Sequence, residues 1–171
     1  MTEFPAFNVM SSNVVTSVDA AYNNLSVDTY QLGDGVPQFE FRCLAYSDFE
    51  ILLNKESHAS VNDFRVTDGT TMIGFLGANT PSARWCGIEI SPDTLFICPS
   101  GRDYLAAVPA GYCGICIQIS NDLLSEEEIL PDAFMTPGEV SSRWVLPIGQ
   151  KGTEFCLWLL SILNRNSKVL E

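Results

Sequence analysis

Histidine is almost missing from this sequence: His58 is the only one in 171 residues. A Ser-His-Asp or Cys-His relay therefore has a single possible base. A barrel metal site built on an HxH pair, a later histidine and a carboxylate has no ligand set. His58 lies in the polar stretch KESHAS and reads as a turn residue. Positive charge is scarce as well: 9 Lys and Arg stand against 21 Asp and Glu, for a net charge of −12. A nucleic-acid surface needs clustered cations to neutralise phosphates, so this chain alone is not expected to bind DNA. Long apolar runs are absent too. FCLWLLSIL, at 155–163, stops at nine residues, where a membrane helix needs roughly 18. The start, MTEFPAFNVMSSN, has neither the basic opening nor the apolar stretch of a secretion signal. These absences predict a cytoplasmic protein with no membrane partner. Neither GxxxxGK[ST] nor GxGxxG opens a helix, which removes the common nucleotide loops, and nothing calls for a cofactor.

Cysteine, by contrast, is present six times, as Cys43, Cys86, Cys98, Cys113, Cys116 and Cys156, each within an apolar segment. Free cysteine is a common small core residue. CGIC at 113–116 has motif spacing, but it falls in an expected strand, where residues three apart point to opposite faces. That geometry defeats a shared zinc or a redox pair, and no helix start is at hand to lower a thiol pKa.

The apolar content, 46% of the chain, suffices for one domain with a real core. Residues 1–16 form an N-terminal segment, mixed in composition and expected to be loosely ordered at its start. SVDAAYNNL at 17–25 carries a short helix signal with Ser17 as its cap. From there to residue 120, apolar and polar residues alternate in eight or nine short runs, with turn residues about every ten positions. In PQFEFRCLAYSDF, for example, Phe39, Phe41, Cys43 and Ala45 alternate with Glu40 and Arg42. Such spacing predicts a mainly β fold, an antiparallel barrel or sandwich. Residues 121–171 change character to C-terminal helices. NDLLSEEEIL starts on an Asn121 cap, FMTPGEVSSRWVLPIG is a loop or broken helix, and the last helix is apolar far round its circumference and so must be buried. Its burial site is the outside of its own barrel, a second subunit, or both together. The dimer expectation rests on Phe155, Trp158, Leu159 and Ile162.

Aromatic residues crowd the short strands, among them Phe39, Phe41, Phe49, Phe75, Trp85, Phe96 and Tyr104, with Arg42 and Arg84 beside them. Periodicity alone reads these first as a filled barrel core. An apolar cavity with few polar groups is the other reading, and it makes Phe39, Phe41, Arg42, Arg84 and Trp85 the candidate ligand residues. Inward-facing arginines would favour an acidic ligand.

The stretch WCGIEISPDTLFICPSGRDYLAAVPAGY, closing on ICIQIS, resembles the N-terminal regulatory domain of AraC-type transcriptional regulators. The likeness extends over about 17–124 and rests on order and spacing. It implies a cupin-like barrel without catalytic metal, a small-molecule effector held inside it, and a homodimer formed through the helices that follow. In that family a basic domain with two helix-turn-helix motifs comes next and reads the DNA. This chain stops at Glu171 without one, as a cut sensor domain or a stand-alone relative would. The competing expectations are a metal-independent barrel enzyme, such as an isomerase using a carboxylate and a tyrosine, and a purely structural dimerisation domain.

Overall fold

The computed structural model describes residues 6–12, 25–126 and 144–166, with side chains described over 25–126 and 144–164. In chain order the strands are β1 (Ala6–Ser12), β2 (Leu25–Gln31), β3 (Phe39–Ala45), β4 (Phe49–Glu56), β5 (Ser60–Val66), β6 (Thr70–Leu76), β7 (Ala83–Trp85), β8 (Ile88–Ile90), β9 (Thr94–Pro99), β10 (Asp103–Val108) and β11 (Tyr112–Ser120). Helix α1 (Asn121–Glu126), β12 (Val145–Pro147) and α2 (Gly149–Asn166) complete the described chain.

The pairing is nested and antiparallel throughout: β4 with β11, β5 with β10, β6 with β9, β7 with β8. The chain is thus one long hairpin, rolled so that successive rungs fall on opposite sheets. One sheet contains β4-β11-β6-β9 and the other β5-β10-β7-β8. This nesting is a jelly roll, the architecture that cupins share. Further strands extend it, giving seven in the order β1-β3-β4-β11-β6-β9-β12 and five in the order β2-β5-β10-β7-β8. The expected mainly β, antiparallel, cupin-like fold with C-terminal helices is therefore present.

At the closed end of the long hairpin, Trp85 pairs with Ile88, leaving a loop of Cys86 and Gly87. Both have positive φ, 47° and 82°, as a two-residue turn matching the strand twist requires. Glycine adopts this freely, cysteine only reluctantly. The Cys86 N–H is held by the Leu105 carbonyl at 2.7 Å.

Three local expectations differ from what is seen. Residues 6–12, expected to be loosely ordered, run as β1 along β3 in continuous register from Ala6 opposite Ala45 to Ser12 opposite Phe39. Without it, the edge of β3 would present unpaired backbone groups. Within the loop or broken helix expected at 134–149, residues 145–147 form β12 on the opposite edge of the same sheet, so residues 121–171 are not purely helical. The cap of α1 is Ser120, whose Oγ accepts the Leu123 N–H at 3.2 Å, whereas Asn121 Oδ1 accepts the Thr71 hydroxyl at 2.8 Å. The helix expected at 17–25 lies outside the described residues, apart from Leu25, which opens β2.

Alternation along the strands splits the apolar residues between two cores. One lies between the sheets and includes Phe41, Leu52, Phe64, Met72, Trp85, Phe96, Tyr104 and Tyr112. The other lies on the outer face of the seven-stranded sheet, where Leu44, Ile51, Leu53, Phe75 and Ile115 meet Cys156, Leu159 and Leu163 of α2. The last helix thus packs on its own barrel.

Candidate functional site

The core between the sheets is not filled. A cavity of about 50 Å³, counted as space open to the centre of a water molecule, lies within a depression of about 620 Å³ that includes open solvent. One water sphere occupies about 10–15 Å³, so the space admits several waters or part of a small ligand. Its walls are mostly apolar, with Leu25 and Val27 from β2, Phe41 from β3, Phe64 from β5, Met72 from β6, Ile90 from β8, Phe96 from β9, and Ala106 and Val108 from β10.

Two glycines shape these walls. A side chain at Gly74 would meet the Phe96 ring at 2.1 Å, and one at Gly114 would meet the Tyr112 hydroxyl at 2.0 Å. Both rings lie across a sheet position that only glycine leaves open.

The polar part is concentrated. Residues two apart share a strand face, so Asn54 and Glu56 on β4 and Ser60 and Asn62 on β5 form two facing pairs. Glu56 is 2% exposed. Its Oε1 accepts Asn54 Nδ2 at 2.9 Å and Asn62 Nδ2 at 3.0 Å, and its Oε2 accepts the Ser60 hydroxyl. The amide oxygens of Asn54 and Asn62 are buried with no partner among the described residues. Tyr112 stands opposite Glu56 across the β4–β11 ladder. Burial first, then the Cys116 thiol and Glu56, push its phenol pKa well above the ordinary value, so the hydroxyl stays protonated. The Cys116 thiol, also in the wall, is pushed up to about 12 by burial and stays neutral.

Of the residues expected to hold a ligand, only Phe41 lines this cavity. Trp85 stands one layer behind, fully buried against Phe96 and Tyr104 at ring-centroid distances of 5.6 and 5.7 Å. Phe39 is buried in the same core but lines a wider, open cleft of about 570 Å³, together with Glu40, Arg42 and Lys55. Arg84 is exposed. Arg42 alternates with Phe41 and Cys43 on β3 and reaches the end of α2 instead. Its Nη1 donates to Asn164 Oδ1 at 2.9 Å and to the Leu163 carbonyl at 3.4 Å, and its Nη2 pairs with Glu40. Lys55 also pairs with Glu40, at 3.1 Å. The inward arginines that would have favoured an acidic ligand are not there.

Sequence reasoning missed Asn54, Glu56, Asn62 and Tyr112. The available signal was weak: Asn54 and Glu56 follow the apolar run FEILL with strand spacing, a pattern that equally describes a strand leaving the core for solvent. Cys113 packs with the outer core and Cys116 with the inner one, so the CGIC pair is split across the sheet as its spacing predicts.

Metal chemistry finds no suitable donors here. Among the described residues no three His, Cys, Asp or Glu side chains gather to hold a metal ion. Glu56 is the one carboxylate that the described residues place in the cavity wall, and His58 sits in the β4–β5 loop with Nδ1 2.8 Å from Ser57 Oγ. A histidine-rich metal centre does not fit these residues.

Fold and site together define a class: a jelly-roll domain with an interior cavity, mostly apolar and carrying a compact acceptor cluster. Among solved structures the chain is similar to the AraC-like transcriptional activator CuxR, at 14% identity and a TM-score of 0.45. The match covers 71% of this chain and 50% of that one, so this chain spans about half its length. KdgF from Halomonas sp. aligns at 15% identity and a TM-score of 0.41, over 63% of this chain and 96% of that one. A variant oxalate decarboxylase of Bacillus subtilis aligns at 9% identity and a TM-score of 0.41, over 78% and 44%. No protein-family model matches the sequence, and no curated protein matches it. The strand nesting, rather than these distant likenesses, defines the fold.

Proposed function

We propose that this chain is the effector-sensing and dimerisation domain of an AraC-type, cytoplasmic transcription regulator. It holds a small molecule between the sheets of the jelly roll, and DNA is read by a separate domain. The observation that carries this reading is the cavity, in which two buried amide oxygens stand beside Glu56 without a partner among the described residues. Buried acceptors left unpaired are costly to a fold, and a bound ligand is the simplest way to satisfy them. The resemblance of about 17–124 to AraC-type regulatory domains points the same way.

Dimerisation is assigned to the outward side of α2. Phe155, Leu157 and Trp158 are 42%, 50% and 56% exposed, and Phe155 and Trp158 border an apolar groove of about 320 Å³ with Tyr46 and Phe49. Leu159 is committed to the intramolecular core and Ile162 is half-buried against it, which leaves Phe155 and Trp158 as the contact residues. A second copy closes such a patch symmetrically.

A metal-independent enzyme is the rival reading, favoured by Glu56 and Tyr112 standing opposite one another. Against it, Glu56 already accepts three hydrogen bonds, an arrangement suited to holding a group in place rather than to exchanging protons.

The test is a thermal-shift screen of small molecules against the wild type and Val27→Phe, which fills the cavity. Compounds that raise the wild-type melting temperature and leave the variant unmoved establish the site. A screen in which no compound distinguishes the two defeats the sensor reading. For the dimer, Trp158→Ala is expected to halve the sedimentation mass while remaining folded.

A further inference from the structure

Beside the hydroxyls of Thr29 and Tyr112, which can donate or accept, the polar cluster of the cavity is built around acceptors. A carboxylate only accepts, so both asparagines must turn their Nδ2 groups toward Glu56 and their Oδ1 atoms away from it. The distances of 2.9 and 3.0 Å fix that orientation. A carboxylate offers about four lone-pair sites, of which Asn54, Asn62 and Ser60 use three. One site on Glu56, one amide oxygen on Asn54 and one on Asn62 therefore remain open.

Among the described residues no lysine, arginine or histidine lines the cavity. The nearby cations, Arg42 and Lys55, are both bound to Glu40. An anionic head would thus arrive beside Glu56 with no cation among the described residues to neutralise it. An ammonium group, in contrast, carries three N–H donors, one for each open acceptor. The remaining wall, with Phe41, Phe64, Phe96, Ile90 and Val108, suits an apolar body.

We infer that the ligand of this cavity is a small primary amine with an apolar body, bound head-first to Glu56, Asn54 and Asn62. The inference rests on the pocket reading above and deepens it by naming the ligand class. It also reverses the expectation of an acidic ligand drawn from Arg42 and Arg84.

The experiment is calorimetric titration of the full chain with three molecules of one shape, benzylamine, benzyl alcohol and benzoate, repeated on Val27→Phe and on Glu56→Gln. Benzylamine is expected to bind tightest and benzoate not measurably. Glu56→Gln should weaken benzylamine by about tenfold or more, the usual size of a charge-assisted hydrogen bond, and change benzyl alcohol by less than about threefold, as neutral bonds are worth less. Benzoate binding as tightly as benzylamine, with all binding lost in Val27→Phe, would leave the pocket standing and overturn the amine. Benzylamine affinity unchanged in a folded Glu56→Gln also overturns it. Failure of all three molecules to bind overturns the amine, and the thermal-shift screen with Val27→Phe decides separately whether the pocket reading stands. The head-group comparison needs only the wild type, so it decides the matter even where Glu56→Gln does not fold.

Discussion

The two faces of the seven-stranded sheet are built from the same strands and do opposite things. On β4, Ile51 and Leu53 point outward into a core closed by α2, while Asn54 and Glu56 line the cavity within the barrel. The outer face is sealed by side chains of one helix, Cys156, Leu159 and Leu163. The inner face meets a second sheet across a space that is part apolar wall and part hydrogen-bond cluster. An apolar seal tolerates no unpaired polar atom, because water is excluded and nothing replaces it. A ligand site instead keeps a few such atoms in reserve. A single sheet supplies both because alternate residues along a strand answer to different neighbours.

If the outer face is a sealed core, Leu159→Ala should cost about 2–5 kcal/mol in urea unfolding. A loss below about 1 kcal/mol would mean that α2 is not an integral layer, since even partial collapse of a core site costs more, and the contrast between the faces would break. Gly114→Ala should come next, at about 1–3 kcal/mol, because an added methyl group overpacks the site occupied by the Tyr112 hydroxyl. The displaced ring has the cavity to move into, so ligand affinity should fall with stability. Stability lost with affinity intact would place Tyr112 outside the site.

A smaller effect separates the arginine from the ligand. Arg42 binds the Leu163 carbonyl and Asn164 at the end of α2, where a cation also complements the helix dipole. Arg42→Met should therefore cost roughly 0.3–2 kcal/mol and leave ligand affinity unchanged. Lost affinity at unchanged stability would return Arg42 to the ligand site.

The smallest effect is in pH. Burial alone would raise the Glu40 carboxyl pKa, but the hydrogen bond and charge of Lys55, with Arg42 adding to them, hold it below its ordinary 4.5. A depressed folded value means that the unfolded chain takes up the proton first. The stabilisation is thus complete above pH 4.5 and disappears as pH falls through the lower folded value. Unfolding of Glu40→Gln should show a gap from the wild type at neutral pH that closes in acid. A gap independent of pH would show that the Arg42–Glu40–Lys55 cluster carries no charge linkage.

Much of this molecule was legible before the structure. Alternation over Phe39–Ala45 and turn residues about every ten positions together specify short antiparallel strands, since side-chain period is a local property. The split of Cys113 from Cys116 followed from the same period. The apolar circumference of α2 stated that the helix is buried, and only the tertiary structure decided against what, because Leu159 has no preference between its own sheet and a second subunit until the sheet is in place. Edge strands β1 and β12 were invisible for a similar reason: they satisfy backbone groups of β3 and β9, and backbone demand leaves no side-chain pattern. The site lay furthest from the sequence. Asn54 and Glu56 on one strand, Asn62 on the next and Tyr112 fifty positions later are ordinary surface residues one by one. Rolling the long hairpin turns their shared face inward, and only there do their hydrogen bonds, and the acceptors left over, come into being.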